Sequence, residues 1–276
     1  MKIGFIGGGN MAQALMGGIA ARHAEARFVV VEPHAPTRER VSRVVRDVVL
    51  LEGPTLELAD CDAVVVAVKP QHVRVAVGAA APWLVRPLIV SIAAGIRTRE
   101  IARWLATEGG APRAIVRAMP NTPALIGEGI SGLYAPAAVG SSERDMAEKL
   151  LGAVGQTLWV DDEAKLDAVT AVSGSGPAYV FSFIEALEQG ALELGLSAAD
   201  ARRIAVATFT GASKLAAASE EPIAVLRERV TSKGGTTQAA LTHLREAGCT
   251  LAIVGAIHKA ALRSAEMGDD FGRDVS

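Results

Sequence analysis

Lys2-Ile3-Gly4-Phe5-Ile6-Gly7-Gly8-Gly9-Asn10-Met11-Ala12 is the stretch on which the reading of this chain turns. Its first five residues form a short apolar run suited to a buried strand. Gly-x-Gly-x-x-Ala follows at once, at Gly7, Gly9 and Ala12, and a helical pattern begins behind it. A strand, a glycine turn and a helix start are what a dinucleotide pyrophosphate requires. Gly7 permits a tight turn, and Gly9 lets the backbone approach the phosphates. Ala12 is small enough for helix and strand to pack. The helix start offers unpaired N–H groups and a partial positive charge to the anion.

Working outward, a second apolar run, Phe28-Val29-Val30-Val31, ends in Glu32, 25 residues after Gly7. That is near the spacing of a carboxylate that binds the ribose. Glu32 favours NAD, because a carboxylate repels a 2′-phosphate. Arg38 and Arg40 lie within reach of the same loop and favour NADP if they face it; a solvated helix face is the plainer reading of both. Continuous Val- and Ile-rich runs recur at 63–68, 88–92 and 114–118, with shorter ones near 130–134 and 157–160. Helical patterns fill the gaps at 11–22, 37–46, 72–80, 98–106 and 142–152. Strands apolar throughout are covered on both faces, so the alternation predicts a doubly wound, mostly parallel sheet.

After Val160-Asp161-Asp162 the texture changes. Helical stretches rich in Ala and Leu are expected at 164–173, 177–195, 198–217, 222–230, 237–247 and 250–266, without strands. Pro177 suits a first helical turn, and Ser197 and Thr250 suit caps. Residues 178–187 are apolar on most sides, and so is a helix that must be buried. A domain of that size cannot hide several such helices alone, which predicts subunit packing. The division expected is therefore 1–162, an α/β dinucleotide-binding domain; 163–267, an all-α domain; and 268–276, a fraying polar tail.

Composition narrows the function classes. Hydrophobic residues are 50% of 276 and charged residues 21%, which describes a folded globular chain. A net charge of −2 and 4% aromatics give neither the field nor the stacking surfaces of a nucleic-acid binder. No apolar stretch reaches the length of a membrane span. Two cysteines, Cys61 and Cys249, make neither a disulfide framework nor a metal-ligand spacing. With a strand at the very start and no leader expected, a cytoplasmic location is anticipated. The five histidines are scattered, and no triad or metal cluster is suggested, so no metal is expected.

Four further segments could carry chemistry. Val68-Lys69-Pro70-Gln71 and Arg117-Ala118-Met119-Pro120-Asn121-Thr122-Pro123 both follow strands, at the sheet edge where ligands bind. Ser173-Gly174-Ser175-Gly176-Pro177-Ala178-Tyr179 breaks one helix and starts the next. Thr231-Ser232-Lys233-Gly234-Gly235-Thr236-Thr237 leads into a helix N-terminus whose N–H groups can hold a carboxylate. The bland alternatives are a loop lysine, a β-turn, a helix connection and a threonine cap.

Taken in order, these segments resemble pyrroline-5-carboxylate reductases along almost the whole chain. Phe5 to Ala12, Ala67 to Gln71, Met119 to Pro123, Ser173 to Tyr179 and Thr231 to Thr237 carry the resemblance. Lys233 stands where the family often has Pro, Arg245 where an acidic or amide residue is usual, and Pro54 where some members use an Asn near the cofactor ribose. The resemblance implies a Rossmann domain followed by an all-α dimerisation domain, a homodimer, and further assembly into a decamer. It implies reduction of L-1-pyrroline-5-carboxylate to L-proline with NADP(H), alternatively NAD(H). It assigns the cofactor to Gly7, Gly9, Asn10, Met11, Glu32, Val68, Lys69, Pro70, Ala93, Gly95 and Asn121. It assigns the substrate to Ser175, Gly176, Ser232, Lys233, Gly234, Gly235, Thr236 and Thr237, with Thr237 the catalytic candidate. Two other readings compete. A β-hydroxyacid or 6-phosphogluconate type of dehydrogenase needs a catalytic lysine followed by Asn; Lys165 is near that place, but no Asn follows. A regulatory protein that binds dinucleotide without turnover is the non-enzymatic alternative.

Overall fold

The apolar runs become one eight-stranded sheet: β1 (Lys2–Ile6), β2 (Arg27–Val31), β3 (Val48–Leu51), β4 (Ala63–Val66), β5 (Leu88–Ser91), β6 (Ile115–Met119), β7 (Gly129–Tyr134) and β8 (Gly155–Trp159). The strands lie in the order 3-2-1-4-5-6-7-8. All neighbours run parallel except β6 with β7. The chain reverses its direction of growth between β1 and β4, the point at which such sheets bind ligands. The computed structural model describes residues 1–106 and 113–273. They divide into two units, Met1–Ser175 with the segment from Ala260, and Gly176–Lys259.

In the first unit the runs are apolar at every position because both faces are covered. Phe28, Val30, Val65 and Val90 point into one core. Their neighbours Val29, Val31, Val64, Val66 and Ile89 point into the other. Helices α1 (Asn10–Arg22), α2 (Ala35–Val44) and α5 (Ser141–Gly152) cover the first face through Leu15, Met16, Ile19, Val41 and Leu150. Helices α3 (Val73–Ala80) and α4 (Thr98–Leu105) cover the second through Val73, Val77, Ile101 and Leu105. Each such side chain contributes about 1.5–3 kcal/mol when fully buried. Strand β3 was not anticipated. Val48-Val49-Leu50-Leu51 is only half-buried at the sheet edge, and it places Glu52 and Pro54 beside the end of β2.

The first unit ends in α6 (Lys165–Val169) and a π-helical turn, Thr170–Gly174. The second unit holds α7 (Gly176–Glu193), α8 (Ala198–Ala217), α9 (Ile223–Arg229), α10 (Thr236–Glu246) and the start of α11 (Cys249–Gly272). Ser197 caps α8 as expected, its hydroxyl accepting from the Asp200 N–H at 3.2 Å. Thr250 is not a cap, since α11 begins one residue earlier. No residue of α7, α9 or α10 is buried.

The tail expected from Gly268 is helical as far as Gly272. Asp269 pairs with Arg97 at 2.7 Å, and Phe271 packs on the second core. Residues 274–276 of that expected tail lie outside the described residues. Among the described residues no helix is long and apolar enough to cross a membrane.

Candidate dinucleotide site and substrate loop

At the mouth of β1 the backbone takes the shape that the glycines permit. Gly7 sits at φ +100°, and a Cβ there would lie 2.8 Å from the Ala67 carbonyl oxygen. The Gly7 N–H donates to the Val31 carbonyl at 2.8 Å, and the Gln13 amide donates to the Gly8 carbonyl at 2.7 Å, which fixes the loop. Gly9 precedes α1 without a side-chain cap, and nothing lies within 4 Å of where its Cβ would stand. The N-terminus of α1 is thus left without a side-chain cap, and uncapped first-turn N–H groups are what an anion binds.

At the end of β2 the Glu32 carboxylate is held at both oxygens. One accepts the Gly8 N–H at 2.9 Å and the other the His34 N–H at 3.0 Å. Arg38 turns its guanidinium to the Glu32 and Pro33 carbonyls, both at 2.8 Å, and to Glu52 at 2.6 Å. Arg40 donates to the Thr37 hydroxyl at 2.9 Å.

A cavity of about 990 Å³ runs along this edge. It joins five of the expected residues, Gly7, Gly9, Glu32, Val68 and Lys69. Pro54, which the resemblance places near the cofactor ribose, lines it too; His34, Glu52 and His72 also line it and were not anticipated. Its size, apolar lining and few polar groups suit a large organic ligand. With the open glycine turn and a carboxylate at ribose distance in sequence, these residues fit a dinucleotide.

Asn10, Met11, Pro70, Ala93, Gly95 and Asn121 do not line this cavity. Gly95, at φ +74°, has a packing reason of its own: a Cβ there would meet the Met267 Cβ at 3.2 Å. Asn121 is buried and braced, its amide donating to the Ser173 carbonyl at 3.2 Å and its oxygen accepting the Ile130 N–H at 2.9 Å. Ser175 follows the π-helical turn, with its N–H on the Thr170 carbonyl at 2.8 Å. Such turns recur at functional sites.

A largely buried ionic cluster, unannounced by any motif in the sequence, joins Arg117, Glu163 and Asp167. Arg117 of β6, 4% exposed, contacts Glu163 at 3.2 Å and Asp167 at 4.0 Å. Glu163 also accepts from the N–H and hydroxyl of Thr98, at 2.8 and 2.9 Å. Asp167 accepts from Ser264 at 2.7 Å. The available signal was a lone arginine in an otherwise apolar strand, since a buried charge needs a partner.

In the second unit, Gly235 ends the loop and α10 begins at Thr236 without a side-chain cap. The Gly235 N–H is bonded to the Ser232 carbonyl at 3.1 Å, and the Gly234 N–H to the Gln238 side chain. Of the N–H groups of Lys233, Gly234, Gly235 and Thr236, which lead into the helix and are the candidates for a carboxylate, two are thus engaged within the loop in this conformation. The Lys233 and Thr236 N–H groups have no such partner among the described residues. Lys165, required by the β-hydroxyacid reading, is an exposed lysine paired with Asp161 at 2.6 Å. Its hydrogen bond to Asp161 raises its pKa above the ordinary value, the reverse of what a proton-transferring lysine needs.

Comparison with known proteins agrees with this geometry. Residues 163–267 match the family model for pyrroline-5-carboxylate reductase dimerisation, and residues 2–95 match one described as NADP oxidoreductase coenzyme F420-dependent. A pyrroline-5-carboxylate reductase of Pseudomonas aeruginosa is 45% identical over 99% of this chain and 98% of its own length. One from Pisum sativum is 34% identical over 96% and 95%. Among solved structures, a pyrroline-5-carboxylate reductase from Coxiella burnetii is 33% identical over 96% of this chain and 97% of its own, with a TM-score of 0.88. A Plasmodium falciparum pyrroline carboxylate reductase with NADP bound is 27% identical over 97% and 98%, with a TM-score of 0.84. The chain belongs to the pyrroline-5-carboxylate reductase family.

Proposed function

We infer that this protein reduces L-1-pyrroline-5-carboxylate to L-proline with NAD(P)H, the last step of proline biosynthesis. The observation that carries the reading is 45% identity to a named reductase along virtually the whole chain. The substrate is a five-membered cyclic imine bearing one carboxylate. Protonated, its imine carbon is already electrophilic, so the protein acts mainly by orientation. A bound reduced nicotinamide would supply the hydride that, with the imine proton, converts C=N to CH–NH.

The chain's own part falls to named groups. The glycine turn and the N-terminus of α1 hold the pyrophosphate, and Glu32 binds the ribose. The unengaged N–H groups of Lys233 and Thr236 bind the substrate carboxylate, and those of Gly234 and Gly235 join them if Gln238 and Ser232 release them. Ser175, Gly176 and Ser232 complete the substrate contacts. The Thr237 hydroxyl hydrogen-bonds the ring nitrogen and steadies or relays its proton. The protein works as a homodimer through residues 163–267, with a decamer as the larger assembly, in the cytoplasm; the unpaired Cys61 and Cys249 support that location.

The test is loss of nicotinamide absorbance with pyrroline-5-carboxylate as substrate. Thr237→Ala is expected to lower kcat about 10²-fold with a smaller change in KM. Unchanged kinetics would remove Thr237 from the chemistry.

A further inference from the structure

We propose that this chain selects NADH over NADPH, with Glu32 as the residue that discriminates and Arg38 as its support. The inference rests on the dinucleotide reading given above, since it names which cofactor that site takes. The Plasmodium falciparum relative has NADP bound. The choice in this chain lies with its own residues beside the ribose.

Glu32 cannot turn aside to admit a 2′-phosphate. Its two oxygens are tied to two backbone N–H groups, one in the glycine turn and one beyond β2. A carboxylate has about four acceptor positions. Two are taken, and two remain to accept from the hydroxyls of an unphosphorylated ribose. A phosphate on the 2′-oxygen replaces a donor with an acceptor of like charge, next to a group that is anchored.

The cation that sequence spacing offered to such a phosphate is committed elsewhere. Arg38 spans two backbone carbonyls and Glu52, and its side chain is 18% exposed. It holds the loop carrying Glu32 in place. Arg40 donates to Thr37 and does not line the cavity. The charged and titratable groups that do line it are Glu32 and Glu52 at the ends of β2 and β3, His34 beside them, and Lys69 and His72 after β4. The ring of His34 meets the Thr37 hydroxyl at 3.1 Å. The β2 and β3 side of the cavity therefore presents two carboxylates and no uncommitted arginine.

The experiment measures dissociation constants for NADH and NADPH by calorimetry without substrate, and kcat/KM for both with pyrroline-5-carboxylate. The wild-type chain is expected to bind NADH about tenfold or more tightly than NADPH. Glu32→Gln should bring the two constants together, chiefly by tightening NADPH. Arg38→Ala should weaken both dinucleotides alike and keep their ratio within about twofold, because it loosens a loop rather than removing a phosphate clamp. Should Glu32→Gln fold poorly, Arg38→Ala and the wild-type ratio still decide. Equal or tighter binding of NADPH by the wild type overturns the proposal, as does a loss confined to NADPH in Arg38→Ala. If NADH binds selectively but neither cofactor reduces the imine, the catalytic reading fails and the selectivity stands.

Discussion

The two units bury their apolar side chains in opposite ways. In the first, the strands and their helices close on each other, and Phe5, Ile3, Leu15 and Ile89 are sealed inside. In the second, Phe181 is 61% exposed, Leu215 60% and Leu251 79%. Helices are stabilised in water chiefly by packing an apolar face. The first unit supplies its own packing, whereas the second leaves apolar faces exposed, in the segment that matches a dimerisation model. Sequence patterning thus specifies a self-contained sheet in one case and, on the proposed homodimer, half of an interface in the other.

The largest effect should come from charging the proposed dimer interface. Phe181→Asp or Leu215→Asp removes about 2–3 kcal/mol of burial per copy, and a twofold interface counts the loss twice, about 4–6 kcal/mol in all. Sedimentation should show monomers at micromolar concentration, with reductase activity falling together with the dimer. Dimers of undiminished stability would break the contrast between the units. Next in size is the ionic cluster of the first unit. Glu163→Ala leaves the Arg117 charge buried without its nearest partner, at a cost of about 3–5 kcal/mol. Urea unfolding should register that loss, and Glu163→Gln should restore part of it by retaining a hydrogen bond to Thr98. Smaller still in stability is Gly9→Val. A Cβ at Gly9 meets nothing in the protein, so unfolding should change by about 1 kcal/mol or less while dinucleotide affinity falls about tenfold or more. Unaltered affinity would detach the glycine turn from the cofactor.

Legibility followed the same contrast. Strands covered on both faces announce themselves as unbroken Val and Ile runs, and those were placed to within a few residues. Edge strand β3 was missed because Val48-Val49-Leu50-Leu51 is short and half-exposed, and with it went Glu52 of the cavity wall. The glycine turn could be read because the backbone at Gly7 tolerates no side chain, and Glu32 because it stands directly after the apolar run of β2. The positions of Asn121 and Gly95 could not, because their partners, Ser173, Ile130 and Met267, come from distant parts of the chain. The same holds for Arg117, whose carboxylates lie 46 and 50 residues further on. Spacing reports local geometry, while long-range pairing leaves only an isolated polar residue in an apolar run.

The smallest effect sharpens the contrast from the side of the sealed unit. Cys61 is buried, with its thiol facing the Glu57 carbonyl at 3.5 Å. Burial pushes its pKa from 9.0 to about 11; Lys2 opposes the shift, and the nearby acids Asp62, Asp60 and Glu57 add to it. The folded chain therefore keeps this proton to higher pH than the unfolded chain does. The contribution to stability is whole below pH 9 and is lost as pH rises through about 11, by an amount on the order of 2–3 kcal/mol. Lys2, raised by its hydrogen bond to Glu57, acts in the same direction, so the stability of the wild type alone does not isolate the thiol. Comparing denaturation of the wild type and Cys61→Ala between pH 8 and about 11.5 does so. The variant should be less stable at pH 8 because of the lost packing, and the gap should narrow as the pH climbs. A gap that stays constant would mean that water reaches the thiol, and that this unit is not sealed at its Cys61 edge.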